Sequence, residues 1–477
     1  MPDTEAILAE LARLSSADLP TRGGRTLAYV HDPGLPGLDD LATAAHAAFA
    51  RVNALDMTVF PSVVQLENGV VSFAARLLGG DAATRGSFTS GGTESILLAV
   101  KAARDHARAV RGVTEPELVV PDTAHVAFRK AARYLGLRLV TVPTDPVSCT
   151  PDPADLAAAL TDRTALVAVS APSYAHGVLD PVAETAAAAA ERGVWCHVDA
   201  CVGGMVLPFL RRLGRDLPDF DLSVPGVCSL SVDLHKYGFA DKGASVVLYR
   251  DAELRRHQYF ASAEWPGYPV VNPTAQGSRS AGPLAAAWAV VRRLGEEGYT
   301  GLVATAVRAT EEIAAGVGAV PGLRVVGSPV ATLLCVASEE ADPLHVADEM
   351  RARGWFVQPQ LSFGAHRRNL HLTVTPATAP QVPALLADLA ESVRAAAALP
   401  SPNPDPALAA AVAGLDADAL SAEELAQVMA SIGVDPEKGA LPSRMAPLLA
   451  LLDAAPLPLR ERFLTEFVGL LFSGSGA

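Results

Sequence analysis

The central part of the chain alternates short apolar runs with longer segments of helical periodicity. Alanine-rich segments such as ESILLAVKAARDHARAV place apolar residues at helical spacing between several of the runs. Continuously apolar strands that alternate with helices are typical of a mostly parallel sheet covered on both faces. The pattern therefore predicts an α/β protein whose large domain contains a seven-stranded, mostly parallel sheet. The runs are GSFT, ELVVP, RLVTV, ALVAVSA, VWCHVD, VCSLSVD and ASVVLYR, between about residues 86 and 250.

A second, smaller α/β pattern follows a long helical stretch at about 281–318. It contains the apolar runs LRVVG, VATLLCVA, WFVQ and LHLTV, with helical segments around 342–353 and 379–397. The proline-rich run PSPNPDP at 400–406 interrupts this pattern, and the Leu/Ala-rich residues beyond it again have helical spacing. We therefore predict an N-terminal segment (1–60), a large domain (61–300), a small α/β domain (301–399) and an appended helical segment (400–477).

Composition limits the partners that this chain can have. Its 477 residues carry a formal net charge of -14, from 38 Lys and Arg against 52 Asp and Glu. Such an acidic balance argues against nucleic acids and anionic membranes, because both reward dense positive charge. No window approaches the roughly 20 apolar residues of a membrane span, and the N-terminus lacks the basic start of a signal peptide. We expect a soluble, cytoplasmic protein that acts on a small molecule.

Cysteine usage points to a reducing compartment. The chain has five cysteines, an odd number, and no C-x-x-C pair. This pattern predicts reduced thiols rather than a disulfide framework or a zinc site, so no metal is expected. The cysteines are Cys149, Cys196, Cys201, Cys228 and Cys335.

Lysine is rare, which gives its positions more weight. Of the 38 cationic side chains only five are lysine, and Lys236 and Lys242 lie close together in DLHKYGFADKGASVVLY. Lysine, unlike arginine, can lose its proton and form an imine with a carbonyl group. We therefore expect at least one of these two lysines to take part in chemistry.

Polar residues follow four of the predicted strands, at the edge where ligands bind in sheets of this kind. The sequence SGGTES at 90–95 directly follows GSFT and opens a helix. Paired glycines let the backbone approach an anion, and a helix N-terminus supplies N–H donors and a favourable dipole. The same six residues also fit an ordinary helix cap with a flexible turn.

The other three strand ends supply side chains. Asp199 ends VWCHVD, and a carboxylate there can hold a ring nitrogen in its protonated form. Lys236 follows VCSLSVD as the imine candidate, and the adjacent His235 can contact a phosphate or move protons. His125 follows ELVVP and places an imidazole at the same edge of the sheet, although a lone histidine there is more often structural. In combination, these four features favour a pyridoxal-phosphate site.

The same blocks resemble a known family, the sphingosine-1-phosphate lyases, in the group II decarboxylase branch of fold type I pyridoxal-phosphate enzymes. The similarity extends over roughly residues 24–395, is most specific in the HKYG…KG block, and leaves 407–473 without a counterpart. It implies a fold type I architecture, pyridoxal 5'-phosphate as cofactor, and a homodimer with shared active sites. The similar blocks include SFTSGGTESILLAVKAARD, HVAFRKAARYLG, APSYAHGVLDPV, HVDACVGGMVLPF, SVDLHKYGFADKGASVVLYRD and WPGYPVVNPTAQGSRSAGPLAAAWAVVRRLGEEGY.

The resemblance also implies roles for individual residues. Lys236 would carry the cofactor, Asp199 would pair with its pyridinium nitrogen and His125 would stack on its ring. Lys242 and Tyr29 match positions that bind the substrate phosphate or assist proton transfer in the lyases. The cofactor phosphate would be held by Gly91, Gly92, Thr93 and His235, while Gly277 and Ser278 would reach the cofactor phosphate of the neighbouring subunit.

One position departs from the family pattern. The lyases have an N-P-L-H element whose histidine contributes to the substrate-phosphate site, whereas this chain reads NALD and ends the element with Asp56. A carboxylate at contact range repels a phosphate dianion by about 1 kcal/mol or more in water, and by more when buried. Asp56 would then face a cationic or hydroxylated group, or turn away from the site.

The residues leave the reaction open between two classes of lyase. A carbon–carbon lyase breaks the Cα–Cβ bond to give an aldehyde and an amine, and an amino-acid decarboxylase breaks the bond to the carboxylate. The choice depends on which bond is held perpendicular to the cofactor ring, and no motif reports that angle. Tyr29 and Lys242 favour the first reaction, whereas Asp56 favours the second. An aminotransferase or an inactive scaffold is less favoured, because Lys236, Asp199 and His125 are all present.

Overall fold

All seven predicted apolar runs form strands of one central sheet in the computed structural model, which describes residues 3–416, 419–421, 423, 424, 427 and 442–472. The strands are β1 (Arg85–Thr89), β2 (Glu117–Pro121), β3 (Arg138–Val142), β4 (Thr164–Ser170), β5 (Trp195–Asp199), β6 (Val227–Asp233) and β7 (Ser245–Tyr249). Their spatial order is β1-β7-β6-β5-β4-β2-β3. Strand β7 is antiparallel to both of its neighbours and the remaining pairs are parallel, so the prediction of a mostly parallel sheet is confirmed.

The strands read as continuous apolar runs because both faces of the sheet are buried. Leu118 and Val119 are neighbours on β2 and point to opposite faces, and both are fully buried in separate hydrophobic cores. Glycines with positive φ, Gly112 at 66° and Gly136 at 69°, end two of the covering helices. The helices up to residue 256 are α1 (Thr4–Leu14), α2 (Leu38–Phe49), α3 (Ser62–Leu77), α4 (Gly92–Arg111), α5 (Val126–Leu135), α6 (Pro153–Ala158), α7 (Val182–Glu191), α8 (Leu207–Arg212) and α9 (Ala252–Arg256).

A four-stranded antiparallel sheet forms the centre of the smaller α/β unit, with its strands in the spatial order Leu323–Val325, Leu333–Ser338, Asn369–Thr373 and Gln358–Gln360. Residues near the N-terminus join it, since Leu27 N donates to Phe356 O at 2.8 Å and Thr373 N donates to Leu27 O at 2.7 Å. The elements are β8 (Phe260–Ser262), β9 (Val270–Asn272), α10 (Gly282–Ala319), β10 (Leu323–Val325), β11 (Leu333–Ser338), α11 (Pro343–Ala352), β12 (Gln358–Gln360), β13 (Asn369–Thr373) and α12 (Val382–Ala397).

Helix α10 connects the two units and bends at Gly295, where φ is 55° and ψ is -169°. The helix is continuous through residue 300, where the sequence pattern predicts a boundary between the large and the small domain. This boundary and the other domain limits stay predictions.

The C-terminal helices α13 (Pro406–Ala413), α14 (Ala446–Ala454) and α15 (Leu457–Leu471) follow the proline-rich run. Helix α14 is attached to α11 through the buried carboxylate of Asp348, which accepts hydrogen bonds from Met445 N and Ala446 N, both at 2.9 Å. Asp453 accepts from Ser362 N at 2.9 Å and from Arg368 Nε at 2.7 Å. Among the described residues, no helix has the length and apolar character that a bilayer crossing requires.

Candidate active site

The carboxyl ends of β1, β5 and β6 and the start of α5 surround one cavity of about 320 Å³. Strands that run in parallel bring their carboxyl ends to a common edge, so residues far apart in sequence meet there. The cavity lining brings together seven of the residues predicted to bind the cofactor. They are Gly91, Gly92, Thr93, His125, Asp199, His235 and Lys236.

The glycine turn at the start of α4 leaves its backbone open to the cavity. Among the described residues, no side chain caps this helix, so its first N–H groups are available to an anion. Glu94 closes the turn, because its carboxylate accepts from Ser90 N at 2.7 Å and from Ala275 N at 2.8 Å. A Cβ atom on Gly92 would lie 2.8 Å from Asp233 Oδ2 and 2.8 Å from Cys201 Sγ. Glycine is therefore required by close packing at this position.

Lys236 and Asp233 form a buried ion pair at the floor of the cavity. Lys236 Nζ lies 3.0 Å from Asp233 Oδ2, and the two side chains are 20% and 2% exposed. Burial by itself lowers the pKa of Lys236, but the nearby carboxylates of Asp233 and Asp199 raise it, and the net effect is a raised pKa. Asp233 Oδ1 is buried and has no hydrogen-bond partner among the described residues.

Two histidines flank this pair, and backbone hydrogen bonds orient their rings. His235 Nδ1 accepts from Ala244 N at 3.2 Å, so its neutral ring carries the proton on Nε2, which lies 3.6 Å from Asp233 Oδ2. His125 Nδ1 accepts from Ala127 N at 3.2 Å, which likewise leaves the proton on Nε2. Burial lowers the pKa of both histidines. Each ring therefore offers a neutral N–H donor at neutral pH.

Asp199 ends β5 and is 7% exposed. Its Oδ1 accepts from Cys201 N at 3.0 Å, which fixes the direction of the carboxylate. The thiol of Cys201 is itself hydrogen-bonded to Ser231 Oγ at 3.3 Å, and burial raises its pKa. Asp199 thus presents an anchored carboxylate to the cavity, and Cys201 contributes packing beside it.

Tyr29 and Lys242 lie beside the cavity rather than in its lining. Lys242 Nζ donates to Tyr29 O at 3.0 Å and to His235 O at 3.4 Å, which joins the N-terminal segment to the Lys236 loop. Burial and the charge of Lys236 lower the pKa of Lys242, and burial raises the pKa of Tyr29. The Tyr29 hydroxyl accepts from Gln358 Nε2 at 2.9 Å.

Gly277 and Ser278 line a second cavity, of about 580 Å³, which shares Ser90 with the first. Within this chain they do not line the Lys236 cavity. Asp56 lines neither of these two cavities. It is exposed, and its Oδ1 accepts from Thr58 N at 2.9 Å and from Thr58 Oγ at 2.6 Å, hydrogen bonds that lower its pKa.

Two further residues of the cavity were not selected as site residues from the sequence. Asp233 ends β6, three residues before Lys236. An acidic residue at a strand end is too common for the sequence alone to mark it as a site residue. Tyr174 lies in the SYAHG turn, and its ring contacts that of His371 at 4.4 Å between centroids and meets that of His125 edge-on at 6.3 Å. Burial raises the pKa of Tyr174 to about 12, so its hydroxyl stays protonated. No sequence signal distinguished this tyrosine from a core residue.

Comparison with known proteins identifies the family. A model of the pyridoxal-dependent decarboxylase conserved domain matches residues 37–337. The sphingosine-1-phosphate lyase of Arabidopsis thaliana is 40% identical over 380 residues, which cover 78% of this chain and 68% of the relative. The chain belongs to the sphingosine-1-phosphate lyase family. It is therefore a pyridoxal-phosphate-dependent lyase, and the predicted cofactor and enzyme class are confirmed.

Solved structures of this family and of its neighbours agree with the observed fold. The sphingosine-1-phosphate lyase of Burkholderia pseudomallei aligns with a TM-score of 0.79 at 37% identity, over 83% of this chain and 92% of that chain. A Lactobacillus brevis glutamate decarboxylase aligns with a TM-score of 0.72 at 20% identity and shows the shared fold type I architecture. A model for a C-terminal HTH domain of pyridoxal-dependent enzymes matches residues 406–470, the segment for which the sequence resemblance found no counterpart.

The chemistry of the cavity fits pyridoxal phosphate. The cofactor needs an amine to bind its aldehyde, an anion-binding turn for its phosphate and a carboxylate for its ring nitrogen. The cavity presents the Lys236 amine for the aldehyde, the uncapped start of α4 for the phosphate and the anchored Asp199 carboxylate for the ring nitrogen. Its volume of about 320 Å³ lies at the lower end of the range for small-molecule sites.

Proposed function

We propose that this lyase cleaves the carbon–carbon bond between an amine-bearing carbon and a neighbouring hydroxyl-bearing carbon of a phosphorylated long-chain amino alcohol, such as sphingosine 1-phosphate. The products would be a long-chain aldehyde and phosphoethanolamine. The observation that supports this choice is the pair formed by Lys242 and Tyr29, which lies beside the cavity as the resemblance to the lyases implies.

The residues that line the cavity support the following proposed roles. Lys236 would hold the cofactor through Nζ, and Asp199 would pair with its protonated ring nitrogen. His125, which lines the cavity, would contact the cofactor ring. The bound cofactor supplies an electron sink for the bond that breaks at the amine-bearing carbon or next to it. The start of α4 would bind the cofactor phosphate, with Gly91, Gly92, Thr93 and His235 as contacts.

Lys242 is the proposed base for the substrate hydroxyl. Its pKa is lowered by burial and by Lys236, which favours the neutral amine that proton removal requires. The backbone oxygen of Tyr29 holds Nζ at 3.0 Å and so sets its direction. Tyr29 then contributes its hydroxyl, which is oriented by Gln358, to the substrate side of the site.

Asp56 is compatible with a phosphorylated substrate in this proposal. Its carboxylate is occupied by the backbone and side chain of Thr58, which supports the view that it turns away from the site. If the carboxylate instead faces the substrate, repulsion of the phosphate would favour the second candidate function, an amino-acid decarboxylase. The L-aspartate decarboxylase of Thermococcus kodakarensis is 32% identical over 312 residues, covering 65% of this chain and 78% of the relative.

We further propose a cytoplasmic homodimer with shared sites. The hairpin of β8 and β9 exposes large apolar side chains, including Phe260 at 57%, Trp265 at 50% and Tyr268 at 61%. Contiguous exposed apolar surface is unusual on a monomer and favours cover by a second subunit. In such a dimer, Gly277 and Ser278 would contact the cofactor phosphate of the neighbouring subunit. All five cysteines are free thiols, which suits a reducing compartment.

Nucleic acid is not a proposed partner, even though an HTH model matches residues 406–470. That segment carries four Lys and Arg side chains against nine Asp and Glu. A negative balance of this kind opposes the counterion release on which binding to nucleic acid depends. We propose that the segment serves the enzyme itself, through its contacts with the small α/β unit.

Product analysis by mass spectrometry tests the proposed reaction. The purified holoenzyme is incubated separately with a phosphorylated sphingoid base, the same base without phosphate, and a pool of common amino acids. We expect a long-chain aldehyde and phosphoethanolamine from the phosphorylated base. An amine lighter than its parent amino acid by carbon dioxide would replace the proposal with the decarboxylase alternative, and aldehyde from the unphosphorylated base alone would contradict the proposed phosphorylated substrate.

A further inference from the structure

A buried group of metal-ligating side chains lies outside the active-site cavity. Cys149, His176 and His366 each offer a ligand atom, and these atoms all lie within 4.8 Å of one another. Cys149 is fully buried, His176 is 4% exposed and the His366 side chain is 9% exposed. The three residues come from the loop after β3, the turn after β4 and the loop between β12 and β13, so the fold brings them together from distant parts of the chain.

The two histidines present ring nitrogens with available lone pairs. His176 Nδ1 is buried and has no hydrogen-bond partner in the described part of the chain. Its ring lies 4.7 Å from that of His366, and burial together with this neighbour lowers the pKa of His176 to about 4. The ring of His176 is therefore neutral at physiological pH, as metal coordination requires.

His366 is oriented by a chain of hydrogen bonds that leaves one nitrogen free to coordinate. The Thr144 hydroxyl donates its proton to Asp122 Oδ1 at 2.7 Å, so it can only accept from His366 Nε2, also at 2.7 Å. His366 then carries its proton on Nε2 and keeps the lone pair on Nδ1. Asp122 thus fixes the tautomer of His366 through the Thr144 hydroxyl. Metal-binding histidines usually have such a hydrogen-bonded partner on the nitrogen that does not bind the metal.

Cys149 contributes the thiol of the group. Its backbone has φ of 62°, in the left-handed region that costs a non-glycine residue energy and that clusters at functional sites. Its Sγ is 4.0 Å from the oxygen of Pro146, at the outer limit for a sulfur hydrogen bond. Burial raises the pKa of this thiol to about 11, and coordination to a cation would deprotonate it.

We propose that Cys149, His176 and His366 bind a Zn²⁺ ion. One thiolate and two imidazoles are ligand types that zinc prefers, and a tetrahedral site leaves the fourth position to water. The ion would link the loop that carries His366 to the turn that carries Tyr174. It would therefore stabilise one wall of the active-site cavity, independently of the reaction catalysed there.

Zinc content of the holoenzyme tests this proposal. The tag-free protein is dialysed to equilibrium against Zn²⁺, then against metal-free buffer, and its zinc is measured by mass spectrometry of the ion. We expect about one zinc per chain in the wild type and in the control variant Cys228→Ser, and less than a tenth of that in Cys149→Ser and His176→Gln. Equal zinc in wild type and Cys149→Ser, or none in the wild type, would overturn the proposal.

A second measurement uses the wild type alone, so it does not depend on the folding of a variant. X-ray absorption at the zinc edge reports the ligand atoms directly. We expect one sulfur at about 2.3 Å, with nitrogen or oxygen at about 2.0–2.1 Å making up the rest. A spectrum without sulfur would place the metal elsewhere and contradict the assignment.

Discussion

Replacing Asp233 with asparagine removes the carboxylate that lies 3.0 Å from Lys236 Nζ while nearly preserving the shape of the side chain. In the wild type, the carboxylates around Lys236 outweigh the effect of burial and keep its pKa raised. Loss of one charge should therefore lower the pKa of the lysine. Because only the neutral amine attacks an aldehyde, the variant should accept cofactor at lower pH than the wild type does.

The size of the effect can be worked from the distance. Two unit charges 3.0 Å apart interact by about 5 kcal/mol at an effective dielectric constant of about 20. This energy corresponds to about four pKa units, at 1.36 kcal/mol for each unit. Asp199 remains in the variant, and water replaces part of the lost charge, so we expect a fall of about two units.

The assay is the rate of covalent cofactor attachment to the apoenzyme, followed by visible absorbance across a pH series. We expect the wild-type rate to rise steadily through neutral pH, and Asp233→Asn to reach its plateau earlier and to react at least about tenfold faster at pH 7. The matched control is Asp241→Asn, because the Asp241 carboxylate is partly exposed and contacts His46 at 3.4 Å. An unchanged pH profile in Asp233→Asn would refute the role assigned to this ion pair.

Three further predictions follow from individual contacts. Gly92→Ala places a methyl group 2.8 Å from Cys201 Sγ, so the free energy of unfolding should fall by roughly 1–3 kcal/mol, and equilibrium dialysis should show weaker cofactor binding. Burial raises the pKa of Asp180 from 3.8 to about 7, so its contribution to stability is present below pH 3.8 and lost as the pH rises to 7; Asp180→Asn should remove this fall, on the order of 4 kcal/mol, from the pH dependence of thermal unfolding. Asp453→Ala leaves Arg368 without one of its two carboxylate partners, which should destabilise the attachment of the C-terminal helices by about 3 kcal/mol. Limited proteolysis should therefore release these helices faster than in the wild type.

The central sheet could be predicted from the sequence because its burial is uniform. Neighbouring residues such as Leu118 and Val119 are both inaccessible to water, and this produces continuous apolar runs that differ from any helical pattern. The site residues at strand ends followed from the same argument. Asp199 and His125 are far apart in sequence, but the parallel strands bring them to one edge.

Contacts made through side chains from separate loops could not be predicted in this way. The ion pair of Asp233 and Lys236 depends on a distance that spacing alone does not give. The proposed zinc site could not be predicted from the sequence, because Cys149, His176 and His366 share no local motif and meet only in the folded chain. For Asp56 the sequence left two orientations open, towards a substrate group or away from the site, and spacing could not predict that its carboxylate accepts from Thr58 N and Thr58 Oγ.

Lys236 as the residue that carries the cofactor is the central claim, and peptide mapping tests it most directly. The holoenzyme is reduced with borohydride to fix the cofactor to its lysine, digested, and sequenced by mass spectrometry. The chain contains only five lysines, Lys101, Lys130, Lys236, Lys242 and Lys438, so fragment sequencing can tell which of them carries the cofactor. We predict the phosphopyridoxyl group on Lys236 alone; its recovery on Lys242 or on any other lysine would contradict the account.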